Sequence, residues 1–307
     1  MRYTDYKFHV PEEKIVRLIV DTDAKNEADD QFAIVHALLS PKFENVGMIA
    51  AHYGIRHEDG MERSFKELET IFDKMGFPKD GMLYHGAGHK IPDKNTPVDS
   101  EGARLIVSEA MKEDDHPLFA VFLGPLTDLA SALLIEPRIA SRMKAIWIGG
   151  GQYPNGGAEF NLGNDIDAAN VVFQSKMEIW QVPQNVYGMM PLSLAELEYK
   201  VAPYGEIGEY LLKQLDEHAN EEGPRKSFFR TGETWVVGDS PAVGLLLHEH
   251  LFAFEWMEAP LITSDMTYVH TKRNRPIRVY QSVDSRLILD DLFAKLALFY
   301  EKKRKSC

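Results

Sequence analysis

The chain has 307 residues, 44% of them apolar and 26% charged, which lies inside the ordinary globular range and excludes a disordered chain, a collagen-like repeat or a disulfide scaffold. Thirty-four Lys and Arg face 47 Asp and Glu, a formal charge of −13 that repels phosphate backbones, so nucleic acid is not the expected partner. The single cysteine, Cys307, can form no intrachain disulfide, no apolar run approaches the ~20 residues that span a bilayer, and the charged N-terminus lacks a signal peptide's apolar core. The expectation is a cytoplasmic protein with neither membrane nor nucleic-acid contacts.

Lys14–Asp21 is a β-branched run typical of a buried parallel strand, and Asp29–Leu39 carries apolar residues at helical spacing up to the stop at Pro41. A strand at Val46–Ala51 and a helix around Met61–Met75 repeat the alternation. It continues with helix Ser100–Lys112, strand Leu118–Leu123, helix Leu126–Leu134, strand Ala145–Ile148, helix Asp165–Gln174 and strand Glu178–Val182. A charged, helix-rich stretch from Pro191 to Pro224 includes Glu206–His218. A buried helix at Pro241–Leu251, a strand at Ile277–Gln281 and a closing helix at Asp290–Arg304 complete the order. No linker or repeat interrupts it. The expectation is one α/β domain over residues 1–307, with a mostly parallel twisted sheet and helices on both faces. Ligands in such sheets bind beyond the carboxyl ends of the strands.

At the first of those ends stand Asp21, Asp23, Glu27, Asp29 and Asp30, five carboxylates within ten residues. Asp29 and Asp30 can cap the following helix and complement its dipole. Asp21 and Asp23 alternate and are expected to point the same way. Two like charges ~4 Å apart repel by roughly 4 kcal/mol at an effective dielectric near 20, a conflict that a hard divalent cation removes. Spacing alone leaves cap and cation both open.

Further motifs follow other strands: Gly124-Pro-Leu-Thr-Asp128; Gly149-Gly-Gly151 with Asn155 and Glu159-Phe-Asn161; Asp165-Ile-Asp-Ala-Ala169; and Gly238-Asp-Ser-Pro-Ala-Val243. In this order, with the opening Asp-Thr-Asp and Asp-Asp, they resemble the nucleoside hydrolases, the inosine–uridine-preferring ribohydrolases and their relatives. That resemblance implies calcium-dependent hydrolysis of a ribonucleoside or related ribosyl compound, in a homodimer or homotetramer. It assigns Asp29 as the base toward the attacking water. Asp23, Asp30, Asp239 and the carbonyl of Leu123 become calcium ligands, Asp21 a supporting residue, and Asn155, Glu159 and Asn161 partners of ribose hydroxyls.

The chain departs from the family pattern in four places. The loop between Asp23 and Asp29 is two residues longer and lacks Pro-Gly, so Glu27 is expected to join or crowd the metal site. Gly238 stands where many members have a His that protonates the leaving base. Gly54-Ile55 replaces the usual Gly-Asn, and Asn155 lies four rather than six residues before Glu159. Candidate replacement acids are His52, Tyr53, His85, His89, Tyr153 and Trp235, of which Tyr153 and Trp235 also suit stacking on a base. Phe228–Trp235 is expected to form a lid. Two other outcomes stay open: a nucleoside- or sugar-binding protein of the same fold without turnover, and hydrolysis of a different glycoside. A phosphatase or nuclease is disfavoured because Lys25 is the only cation in the acidic loop.

Overall fold

The computed structural model describes residues 1–221, 232–248 and 252–306. Twelve strands are described: β1 Val16–Thr22, β2 Phe43–Ala50, β3 Leu83–His85, β4 Leu118–Phe122, β5 Met143–Ile148, β6 Glu178–Val182, β7 Pro191–Ser193, β8 Thr234–Val236, β9 Phe254–Glu258, β10 Leu261–Ile262, β11 Tyr268–Val269 and β12 Pro276–Tyr280. Eight of them form one sheet in the order β3-β2-β1-β4-β5-β6-β12-β9. Every pairing in it is parallel except β12 with the edge strand β9. The order of the strands turns around at β1, which lies between β2 and β4, so the crevice for a ligand opens beyond β1.

The helices are α1 Asp30–Leu39, α2 Gly60–Met75, α3 Glu101–Met111, α4 Thr127–Ile135, α5 Phe160–Asn164, α6 Ile166–Gln174, α7 Gln184–Tyr187, α8 Leu194–Lys200, α9 Gly205–Glu221, α10 Ser240–Leu247 and α11 Ser285–Ser306. The sheet separates two apolar layers. Leu18 and Val20 of β1 join the layer of Phe32, Leu38, Ile71, Leu245 and Leu292. Ile19, one residue out of phase, joins that of Ile106, Leu129 and Val172. Alternation along a strand produces this partition, and burial on both faces explains why β1 is apolar almost throughout. No helix among the described residues is long and apolar enough to cross a membrane.

The expected order of strands and helices is present. Alternation-based reading misses the short antiparallel pairs β7–β8 and β10–β11, whose strands have too few residues to show a period, and the edge strand β9, which carries Glu at both flanks of Trp256-Met257. Residues 249–251 of the expected helix Pro241–Leu251 and residues 228–231 of the expected lid lie outside the described residues, as does Cys307.

A buried polar cluster docks the closing helix. Asp291 of α11 meets His36 Nε2 of α1 at 2.7 Å and Lys295 at 2.5 Å, while Lys295 also reaches Ser40 Oγ at 2.9 Å. Burial holds His36 down to about 4, so at neutral pH it is an uncharged partner. Asp291→Ala strips both buried groups of their acceptor at a cost of about 2 kcal/mol. Urea unfolding should show a lower midpoint with an unchanged slope, and an unmoved midpoint would remove this cluster from the account of stability.

Candidate active site

The loop from Asp23 to Asp29 leaves β1 and is tied down from outside by three side chains. Gln31 Nε2 donates to the carbonyl of Ala24 at 2.6 Å, Gln214 Nε2 to that of Ala28 at 2.7 Å, and Arg56 Nη1 to that of Asn26 at 2.8 Å. These contacts hold a loop longer than the family's in one path. It delivers Asp29 to the N-cap of α1 and Asp30 to its first turn, yet the Asp29 side chain makes no capping bond. Asp239 likewise stands at the N-cap of α10 without a capping bond from its side chain. Both carboxylates turn inward instead, and helix capping does not account for either of them.

Oxygens of Asp29, Asp30 and Asp239 lie within 4.8 Å of one another. Thr22 Oγ1 donates to Asp30 Oδ1 at 2.5 Å, and the backbone N–H groups of Gly238 and Asp239 hydrogen-bond to the Asp29 carboxylate. Asp23 lines the same cavity, and its Oδ2 is buried without a hydrogen-bond partner. Gly124 makes room for it, since a Cβ there would stand 2.9 Å from the Asp23 carboxyl carbon. The cavity measures about 50 Å³.

Electrostatics reflect this crowding. Burial, then the charge of Asp30, pushes Asp29 up to about 8. Burial likewise lifts Asp30 to about 7, and Asp23 and Asp239 rise well above the carboxylate range through burial and then their acidic neighbours. Among the described residues no cationic side chain sits beside these four acids, and burial makes each of them hold a proton more tightly than it would in water.

Opposite them, Asn161 Nδ2 bridges the carbonyls of Leu123 at 2.6 Å and Ile148 at 2.9 Å. A carbonyl has two lone pairs, so Leu123 keeps one toward the cavity it lines. Glu159 accepts four bonds. The N–H groups of Gly150 and Leu162 reach Oε2, and the N–H of Asn161 and the hydroxyl of Tyr187, at 2.9 Å, reach Oε1. Its acceptor capacity is full. Glu27 lines the cavity too, 3.7 Å from Arg56 Nη2.

Of the residues singled out in the sequence, Asp23, Glu27, Asp29, Asp30, Leu123, Glu159, Asn161 and Asp239 therefore meet around one cavity. Eight do not line it. Asp21 does not share a direction with Asp23: the strand ends at Thr22, and Asp21 stays on the α3–α4 face, where Asp128 is its electrostatic neighbour and neither oxygen finds a hydrogen-bond partner. Trp235 is buried in the core beside His218 because β8 turns Val236 toward the cavity instead. Tyr153 donates to Gln181 Oε1 and packs edge-on against Tyr268. Asn155 is exposed, and only its backbone carbonyl is engaged, by Tyr268 N–H. His85 stacks on Phe65 at the sheet edge and meets Glu101. His52, bound to Thr127 Oγ1, and Tyr53 and His89 are likewise absent from the lining.

Sequence reasoning passed over Asn26 and Tyr187. Tyr187 ends the short helix after β6, a carboxyl-edge position that the general rule for parallel sheets flags. Its ring also explains Gly238, where a Cβ would lie 3.0 Å from Tyr187 Cδ2 and 3.4 Å from Asp29 Oδ2. A larger residue at 238 would have to displace that ring.

Comparison with known proteins gives a consistent result. The model of the family described as inosine-uridine preferring nucleoside hydrolase matches residues 18–290. Uridine nucleosidase 1 of Arabidopsis thaliana is 28% identical over 255 residues, covering 76% of this chain and 71% of that one. The pyrimidine-specific ribonucleoside hydrolase RihA of Salmonella paratyphi A is 27% identical over 220 residues, covering 65% and 70%. Among solved structures, a purine-preferring ribonucleoside hydrolase from Gardnerella vaginalis superposes with a TM-score of 0.75 at 20% identity, covering 93% of this chain and 99% of the other.

The raised aspartates fix a sign for stability. Between the unfolded value near 4 and the folded values of about 7 and 8 for Asp30 and Asp29, the folded chain binds more protons than the unfolded one. Their contribution is present at acid pH and is lost as pH climbs through that window. In chelator, the melting temperature should fall from pH 5 to pH 8, and an added divalent cation should raise it more at pH 8 than at pH 5. A melting temperature indifferent to both would contradict the clustering of these four acids.

Proposed function

The chain belongs to the inosine-uridine preferring nucleoside hydrolase family, and from that membership we propose that it hydrolyses the N-glycosidic bond of a ribonucleoside or related ribosyl compound in a Ca²⁺-dependent reaction. As a member of this family it is an N-glycosyl hydrolase. The whole chain, 1–307, is read as one such domain. The observation that carries the proposal is the meeting of Asp23, Asp29, Asp30 and Asp239 around one cavity at the carboxyl edge of the sheet.

The residues present fit a divalent ion. The donor set is all oxygen, one oxygen of Asp23 is buried without a partner, and the cluster is overloaded with negative charge. Asp23, Asp30, Asp239 and the Leu123 carbonyl would hold it, and hard oxygen donors in that number suit Ca²⁺. When bound, such an ion supplies Lewis-acid polarisation and a charge for the vicinal hydroxyls of the pentose.

Asp29 is the member of the cluster assigned to proton transfer. Its carboxylate is oriented by the N–H groups of Gly238 and Asp239, and it takes a proton from the attacking water. The water oxygen bonds to C1′ as the C1′–N bond breaks. The departing nitrogen keeps the electron pair of that bond and takes up a proton, leaving free base and ribose. The surrounding carboxylates stabilise the positive charge that develops on the sugar ring. Asn161, its amide nitrogen spent on two backbone carbonyls, keeps its amide oxygen for a ribose hydroxyl. Glu159 is assigned to a second hydroxyl, which has to take the place of Tyr187 Oη on Oε1.

Incubation of the purified chain with a nucleoside panel and Ca²⁺ should release free ribose, with chelator abolishing the release. Binding without release would make the protein a nucleoside-binding relative instead. Asp29→Ala should lower kcat by at least about a thousandfold while the protein stays folded, and near-normal turnover would reject Asp29 as the base. Tyr187→Phe frees an acceptor on Glu159, and a hydrogen bond to a charged group is worth about 1.5–3 kcal/mol. The KM for ribonucleosides should fall roughly tenfold in that variant, whereas an unchanged KM would mean that Glu159 serves only to cap α5.

A further inference from the structure

We infer that the site takes a ribosyl substrate phosphorylated at its 5′ carbon, the phosphoryl group resting in a cationic groove beside the carboxylate cavity. The inference rests on the ribosyl-hydrolase reading and names its substrate class.

The groove has a volume of about 550 Å³, within the range of small-molecule sites. Among the described residues Lys25, Arg56, Arg63 and Lys66 line it, against two acids, Glu67 and Glu217. A locally positive recess is unexpected in a chain of net charge −13, and its size suits a small anion rather than a polymer. Its acids are already engaged: Glu67 is buried and held by Gln31 and Tyr210 as well as Lys25, and Glu217 pairs with Lys213 along α9. Arg63 pairs with the exposed Asp59 and has Tyr53 as a further neighbour, and the Lys66 ammonium makes no ion pair among the described residues. Guanidinium forks beside ammonium groups are the set that binds a phosphoryl oxygen fan.

Four residues, Asn26, Glu27, Arg56 and Phe160, join this groove to the carboxylate cavity. Asn26 lines both. Arg56 lies over the ring of Phe160 at 4.7 Å and 3.7 Å from Glu27, and Phe160 and Glu27 both line the carboxylate cavity. A substrate gripped at the aspartates therefore has the groove at its flank. The 2′ and 3′ hydroxyls of a ribosyl compound are needed at the aspartates, which leaves the exocyclic 5′ carbon as the point from which a phosphoryl group can extend.

The test compares ribonucleosides with their 5′-monophosphates on the full chain with Ca²⁺, and uses ribose and ribose 5-phosphate as competitors. The double variant Arg63→Ala/Lys66→Ala touches neither the carboxylates nor their supports. Expected are a kcat/KM for the monophosphates at least tenfold above that for the nucleosides, tighter inhibition by ribose 5-phosphate than by ribose, and loss of both differences in the double variant through KM, with nucleoside turnover unchanged. Hydrolysis of nucleosides with no preference for the phosphorylated compounds, or a preference that survives the double variant, would overturn the inference and leave the hydrolase reading standing. Should no compound be hydrolysed, calorimetry with ribose 5-phosphate decides: binding lost in the double variant keeps the groove and removes the hydrolase reading, and absence of binding removes the groove.

Discussion

The repulsion among buried carboxylates at the end of β1 is the constraint around which the rest of this molecule is arranged. Asp23, Asp29, Asp30 and Asp239 come from two segments more than two hundred residues apart in sequence, and each is nearly or wholly shielded from solvent. No hydrophobic gain attaches to burying an aspartate, so the fold has to supply the position by other means. It does so with a sheet whose apolar layers are filled on both faces, and with polar ties from Gln31, Gln214 and Arg56 that leave the acidic loop one path. The stability of the scaffold is what makes an unfavourable cluster tolerable, and the cluster's demand for positive charge is what gives the scaffold a chemistry.

Much of this was legible in the sequence because the two signals involved are strong. Continuous β-branched runs followed by helical periodicity reveal a parallel sheet, and acidic pairs at strand ends reveal where its crevice lies. Asp23, Asp30 and Asp239 were found by motif, and they do converge on one cavity with Asp29. The failures have physical causes. Alternation was extended from Asp21 to Asp23 across the end of a strand, where the period of two no longer holds, so Asp21 was placed on the wrong side. Trp235 was chosen for its chemistry although its neighbour Val236 faces the cavity, because a three-residue strand gives no period from which its facing can be read. Arg56, Arg63 and Lys66 are silent in sequence because a helix and two loops bring them to Lys25 only in three dimensions.

The exchange around Gly238 shows how a family pattern can shift without loss of the site. The glycine leaves a gap that the Tyr187 ring occupies, and the hydroxyl of that ring closes on Glu159. A side chain at position 238 and an aromatic ring at 187 are alternatives for the same space. The relatives matched here include hydrolases named for uridine, for pyrimidines and for purines.

The lengthened loop carries the same lesson toward the opposite side. It places Asn26 and Glu27 between the aspartates and Arg56, so a negative cavity and a positive groove share a wall. Fields of opposite sign set side by side orient a ligand that has a polar diol at one end and an anion at the other, since reversing it would set the anion against the carboxylates. The acidic loop thus does two things at once: its aspartates line the carboxylate cavity, and its Asn26 and Lys25 line the groove beside it.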